Sequence, residues 1–207
     1  MVLYLSRCVL KYCHMQNSFQ EKEGKRPQKI SSSVEIIKTL IIAFVIVIPV
    51  RIFIAQPFIV SGSSMDPTFK NGDYLIIDEL SYRIGNPDRL DVVIFKYPKK
   101  PSTFFIKRII GLPGESISIN NGAVTVTAIN GESFILDDSY VKYPKTDQFS
   151  ITLGNSEYFV LGDNRAESSD SRIWGPLDER FLVGKAFLRL FPINAFDFKP
   201  GLILKNN

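Results

Sequence analysis

At 207 residues the chain is long enough for one domain with a sizeable core plus an appendage. Its net charge of +4 sits near the N-terminus: residues 1–51 carry 8 Lys/Arg against 3 Asp/Glu, and residues 52–207 carry 17 against 18, so the folded part lacks the basic surface of a nucleic-acid binder. Cys8, Cys13 and His14, the only cysteines and histidine, all precede residue 15, which denies the rest of the chain a disulfide, a thiol nucleophile, a Ser-His-Asp triad or a histidine-bearing zinc site.

Residues 1–33 mix charged and polar side chains without a sustained period and read as a flexible tail. Residues 34–55 are mostly apolar, with an unbroken apolar run from Leu40 to Ile48. Lys38 and Arg51 flank that run and can snorkel toward head groups, so a segment that is short for a bilayer still passes as a span. A buried core helix is the competing reading, but nine consecutive apolar residues leave it no polar face. A cleaved signal peptide would start closer to the N-terminus and end at a small-x-small site. The segment is expected to be an uncleaved membrane anchor. Lys22, Lys25, Arg26 and Lys29 precede it, which keeps the tail cytoplasmic and puts residues 56–207 on the outer face of the cell membrane.

Beyond the anchor the pattern becomes β. Strands are predicted over 74–77, 92–97, 104–110, 116–119, 123–127, 133–136, 158–161 and 185–191, and Phe58, Ile59 and Val60 have the composition of another short one. Asn120-Asn121-Gly122 between two alternating runs signals a hairpin, and Asn130-Gly131 a further turn. No useful helical period and no internal repeat is present. The expected fold is mostly β, an antiparallel sandwich or partial barrel preceded by one transmembrane helix.

Three stretches carry candidate chemistry. The first, Ser61 to Thr68, follows the short strand with Gly62, Ser63, Ser64 and Pro67, a tight bend that can hold one hydroxyl at a fixed angle. The same residues also make ordinary surface turns. Ser64 is the candidate nucleophile, and without histidine its base must be a carboxylate, a tyrosine or a lysine. The second stretch contains Lys107, which in a strand shares a face with Phe105 and Ile109. Burial there would lower the amine pKa from about 10.4 to near 8 at a cost of roughly 3 kcal/mol, whereas a lysine on an edge strand would simply snorkel to water. The third runs from Gly162 to Arg172, dense in Asp, Asn, Arg and Ser. It reads as a hydrogen-bonded loop in which Asp163, Asp170 and Arg172 are structural and one serine can orient an unprotonated lysine.

Taken in order, four segments resemble the type I signal peptidases, membrane-anchored Ser/Lys proteases that cleave export signals. They are Ser64-Met65-Asp66-Pro67-Thr68, Gly72 to Ile77, Lys107 to Glu115, and Gly162 to Arg172. The anchor also sits where that family has it. The resemblance implies that Ser64 is the nucleophile, Lys107 the general base, and Ser168 the serine that hydrogen-bonds the amine. It matches Asp163, Asp170, Arg108 and Arg172 to structural ion pairs and loop contacts. Phe58, Val60 and Ile106 match positions that line shallow pockets for small substrate side chains. The Ser64 N–H would be one oxyanion donor. Many members take the second from a serine two positions earlier, where this chain has Gly62, as compact members do. Ala166 replaces a common loop aspartate, which removes one salt bridge. The implied partners are signal-peptide-bearing preproteins and the lipid bilayer, with the secretion translocon as a further candidate. No cofactor, no metal and no nucleic acid is expected.

Three rival readings fare differently. A Ser-x-x-Lys enzyme of the β-lactam type fails because Pro67 stands three residues after Ser64. A self-cleaving repressor protease would lack the anchor and usually carry a DNA-binding domain. A non-catalytic anchored β-domain that binds secretion substrates or machinery has no need of both Ser64 and Lys107.

Overall fold

The computed structural model describes residues 32–53 and 55–203, and the side chains of 32, 48–53 and 55 are outside that description. Residues 1–31 of the predicted tail, with Cys8, Cys13, His14 and the four basic residues ahead of the anchor, lie outside the described residues, while residues 32–33 already belong to the helix that follows. Contacts divide the chain into two compact units, Met1–Ile46 and Val47–Asn207.

In the first unit the predicted anchor is helical. α1 covers Ser32–Phe53 and continues past the division between the units. From Val34 to Val47 every large apolar side chain on it is exposed. Among the described residues no helix is long and apolar enough to cross a membrane; residue 54 and the side chains of 48–53 and 55, all inside the predicted 34–55 span, are not described.

The second unit is mostly β, with every strand ladder antiparallel. Its larger sheet has eight strands: β1 (Ala55–Ile59), β2 (Tyr74–Asp78), β3 (Val92–Lys96), β4 (Phe104–Gly111), β9 (Glu157–Leu161), β10 (Leu177–Asp178), β11 (Leu182–Phe191) and β12 (Asp197–Phe198). They run in the order β1-β2-β11-β3-β4-β9-β10, with β12 on β11. The smaller sheet is ordered β7-β6-β5-β8, from β5 (Ser116–Asn120), β6 (Ala123–Thr127), β7 (Ser133–Ile135) and β8 (Gln148–Thr152). Two single-turn helices, α2 (Ser81–Ile84) and α3 (Ser171–Trp174), complete the regular structure used below.

Side-chain alternation explains the layers. On β3, Val92 and Ile94 face a core with Met65, Phe69, Leu75 and Ile77, while Val93 and Phe95 face another with Ile109 and Val160. Burial on both faces of one strand gives it no polar alternation in sequence. The β5–β6 hairpin closes as Asn120-Asn121-Gly122 requires: Asn121 (φ 50°) and Gly122 (φ 85°) both take the positive φ of a two-residue primed turn. Pro57 is tolerated in β1 because that strand ends the sheet and its outer edge needs no donor.

The predicted strands are present, 123–127 with both ends as expected and the others with an end moved by up to three residues. Three strands are new: β8, β10 and β12. The last two hold only two residues each, too short for an alternating pattern to be read. β8 (Gln-Phe-Ser-Ile-Thr) does alternate, and it pairs along its whole length with β5.

Candidate active site

The β1–β2 ladder continues one step past β1, where Val60 N–H donates to Asp73 O and Gly72 N–H to Val60 O, both at 2.9 Å. Everything from Ser61 to Asn71 is therefore a loop pinned at its neck. Two fully buried side chains, Met65 and Phe69, plug it into the core, and Phe69 N–H donates to Met65 O at 2.9 Å. Ser64 stands directly before the Met65 plug, so its position is set by apolar packing.

Across from it, β4 presents two consecutive buried cations. Lys107 Nζ lies 2.7 Å from Ser64 Oγ and 2.8 Å from Ile106 O. It also lies 5.2 Å from the Phe105 ring centroid, as the shared strand face predicts. Burial lowers the amine pKa to about 8, against the opposing fields of Asp170 and Asp163, which favour the charge. Arg108 instead meets Asp163 in a fork, Nε to Oδ1 at 2.9 Å and Nη2 to Oδ2 at 2.6 Å. Its Nη1 donates to Leu90 O and Gly201 O, and its guanidinium stacks 4.6 Å from the Tyr140 centroid. Asp163 Oδ2 also accepts from Thr68 Oγ1 at 2.6 Å. Arg108 is fixed next to Lys107 and Thr68 lies in the Ser64 loop, so Asp163 sets the spacing between the two.

The 162–172 loop is polar and buried. Asp170, fully buried, accepts from Gly162 N–H, from Arg172 Nε and Nη2, and from Arg172 N–H as the N-cap of α3. The loop leaves no space beside Gly162, where an added Cβ would collide with Ser168 Oγ and Ser64 O. Ser168 is thus next to Ser64, but among the described residues its buried hydroxyl has no hydrogen-bond partner. The structure brings Ser64 and Lys107 into contact and gives Ser168 no bond to the amine. Ala166 is exposed, and the neighbouring Arg165 pairs with Asp138, Nη2 to Oδ1 at 2.9 Å.

Ser64 and Lys107 open onto a cleft of about 470 Å³. Phe58, Val60 and Ile106 line it as the sequence suggests, together with Leu75, Ile94 and Phe104. The Phe58 and Phe104 rings meet edge-on at 5.2 Å. Among the described lining residues Glu167 is the only acidic one, and it accepts from Ser63 Oγ at 2.9 Å. Among the described residues two strands border the cleft with unpaired edges: β1, which ends the sheet, and the first half of β4, because β9 pairs with β4 only from Arg108 onward. A larger hollow of about 780 Å³ shares Phe104 with the cleft but contains neither Ser64 nor Lys107. Among the described residues no group of His, Cys, Asp or Glu could hold a metal ion.

A buried amine of lowered pKa touching a serine hydroxyl at the mouth of an apolar cleft suits acyl transfer. The sequence pattern of the family described as signal peptidase, peptidase S26, matches residues 33–191. The chain belongs to that family. Among signal peptidase relatives, a probable signal peptidase I-2 of Synechocystis sp. is 38% identical over 185 residues, covering 86% of this chain and 83% of the relative. A signal peptidase IB of Staphylococcus aureus is 32% identical over 183 residues, covering 79% and 92%. The crystal structure of a signal peptidase I from Enterococcus faecalis V583 superposes with a TM-score of 0.41 at 30% identity, over 48% of this chain and 96% of that one. Two groups beside Ser64 and Lys107 were not singled out from the sequence: the Ile106 carbonyl, which accepts from Lys107 Nζ, and Asn164, whose Nδ2 donates to Ser63 O at 3.2 Å and whose N–H donates to Ser64 O at 3.1 Å. The Ile106 carbonyl is invisible to any residue-type argument because it is backbone. Asn164 stood in plain view inside Gly-Asp-Asn-Arg, but nothing in its spacing tied it to Ser64.

Proposed function

We propose that this chain is a signal peptidase I: a membrane-anchored serine endopeptidase that removes N-terminal signal peptides from exported preproteins, cutting after small residues. One observation carries the reading, the 2.7 Å approach of Lys107 Nζ to Ser64 Oγ within a site that lowers the amine pKa to about 8. As an ammonium, Lys107 donates to the serine oxygen; once neutral, its lone pair accepts the hydroxyl proton. The Ser64 oxygen then attacks the scissile carbonyl to form a tetrahedral oxyanion, which faces the Ser64 N–H. Collapse expels the new amine, protonated by the Lys107 ammonium, and leaves an acyl-enzyme. Water, deprotonated by the same lysine, hydrolyses that ester and restores Ser64. Ser168, unpartnered beside Ser64 among the described residues, is the group assigned to steer the neutral amine: its oxygen can accept from one of the two remaining N–H groups and leave the lone pair for the Ser64 proton. Asp163, Asp170, Arg108 and Arg172 hold the frame.

The two unpaired strand edges support an extended substrate, whose backbone adds to β1 and the first half of β4 as a strand would. Phe58, Val60 and Ile106 then leave room only for small side chains next to the cut. The unbroken run of exposed apolar side chains on α1 from Leu40 to Val47 supports membrane anchoring by 34–55, with the 1–33 tail cytoplasmic and 56–207 on the outer face. Enzyme and preprotein then meet in one plane, next to the translocon that delivers the substrate. The test is to incubate detergent-solubilised protein with a preprotein and sequence the new N-terminus. A single cut after a small-x-small tripeptide, absent in Ser64→Ala, is expected; uncut preprotein, or equal cutting by Ser64→Ala, would overturn the reading.

A further inference from the structure

The oxyanion donor assigned above is a backbone N–H, and a backbone N–H points only where its peptide plane is held. The Ser63–Ser64 peptide is trans, since the cis bonds among the described residues are Asp66-Pro67 and Phe191-Pro192. In a trans peptide the carbonyl of Ser63 and the N–H of Ser64 point in opposite directions. Fixing one therefore aims the other.

Ser63 O is fixed twice. It accepts from Asp66 N–H at 3.0 Å within its own loop, and from Asn164 Nδ2 at 3.2 Å across the site. Only the second bond ties the peptide to the rest of the domain. Asn164 also grips the next peptide, its backbone N–H donating to Ser64 O at 3.1 Å. Its remaining oxygen, Oδ1, accepts from Glu167 N–H at 3.1 Å, which fixes the amide orientation. Asn164 is 4% exposed and is not part of the cleft lining, whereas Ser64 is. With both flanking carbonyls drawn toward Asn164, the Ser64 N–H is left facing the cleft. Among the described residues it has no acceptor, as a donor reserved for substrate requires.

We propose that Asn164 is a positioning residue for the oxyanion site: it clamps the peptides on either side of Ser64 and so aims the Ser64 N–H at the scissile carbonyl oxygen. The inference rests on the Ser64/Lys107 reading and adds to it the group that orients the donor. The clamp acts on the transition state, because the N–H bond strengthens as negative charge develops on that oxygen. It does not touch the proton transfer, which belongs to Lys107. With a glycine at position 62, no side-chain hydroxyl at that site shares the charge, so the aim of this one donor counts for more.

Two neutral variants separate clamping from loop building. Asn164→Ala removes both side-chain bonds. Asn164→Ser keeps a hydroxyl able to accept from Glu167 N–H, in the manner of a serine turn, but is too short to reach Ser63 O. If the clamp matters, both variants lose kcat alike, by about 10- to 100-fold, somewhat less than the 10²–10³ that deletion of a whole donor costs. KM should stay within about threefold, and the acid limb of kcat/KM should stay at about 8, since Lys107 is untouched. A peptide boronate, which mimics the oxyanion, should lose affinity in parallel with kcat. Wild-type kcat in Asn164→Ser would overturn the proposal, because the loop cap would then be the whole role. So would a displaced acid limb, which would place the effect on Lys107, or a KM rise that accounts for the loss. If Asn164→Ala does not fold, Asn164→Ser decides alone by the same readouts. Failure of the underlying reading is distinguishable: Ser64→Ala would then retain activity with Asn164 intact.

Discussion

Lys107 and Arg108 are neighbours on β4, 4% and 1% exposed, and the fold treats their charges in opposite ways. Arg108 is given a carboxylate fork, two carbonyls and an aromatic face. Lys107 is given a serine hydroxyl and one carbonyl, with Asp163 and Asp170 felt only at a distance, and burial takes its pKa to about 8. Strand alternation makes this possible, since successive side chains leave the backbone on opposite faces and meet different surroundings. A buried cation must be neutralised by pairing or by losing its proton, and here the two solutions lie one residue apart. The first builds the frame and the second supplies the base.

The largest effect should come from exchanging one solution for the other. A guanidinium does not deprotonate in a protein, so Lys107→Arg keeps the charge and loses the base. Cleavage of a preprotein should fall about 10⁴-fold, as in Ser64→Ala, with the double variant little worse than either. Substantial turnover by Lys107→Arg would mean that a different group removes the proton. Next comes the paired cation. Arg108→Ala strands the Asp163 carboxylate in the interior and should cost about 3–5 kcal/mol in denaturant unfolding. Replacing both at once, as Arg108→Met with Asp163→Leu, should recover much of that loss. An unstable double variant beside a stable Arg108→Ala would refute the account of the pair.

The third prediction concerns pH, and its sign follows from the lowered pKa. Between about 8 and 10.5 the unfolded chain still binds the Lys107 proton that the folded chain has released, so the wild type gains stability as pH rises through that window. Below about 8 both states are charged, and the full desolvation cost, about 3 kcal/mol, stands. Lys107→Met should therefore be more stable than wild type by up to that amount at pH 7, with the gap closing toward pH 10.5. A gap that widened with pH would reverse the assignment. In the same window, the acid limb of wild-type kcat/KM should lie at about 8. The smallest effect is that of Ser168→Ala. Its hydroxyl is buried without a partner, so removing it should leave the melting temperature unchanged or slightly raised. Its assigned part in steering the amine predicts a loss of roughly tenfold in kcat/KM, within the range of general-base catalysis. Unchanged kcat/KM would confine Ser168 to packing.

Residue type and local order determined much of this protein. The hairpin at Asn121 and Gly122 followed from the positive φ that those residues tolerate, and most strands followed from β-branched alternation, because both signals act over a few bonds. The absence of histidine beyond residue 14 left a short choice of bases before any geometry was known. Even the direction of the Lys107 shift was legible, since Phe105 and Ile109 lie two residues away on either side and a strand puts all three on one face. Other features were decided only by tertiary structure. Ser64 and Lys107 are 43 residues apart, and their 2.7 Å contact depends on Met65 and Phe69 plugging the loop and on Asp163 bridging Thr68 to Arg108. Whether Ser168 reaches the amine depends on a rotamer inside a packed loop, and no spacing rule specifies that. The bonds that aim the Ser64 N–H run from Asn164 to two backbone carbonyls. Backbone groups are the same at every position, so a sequence carries no mark of which ones a distant side chain will hold.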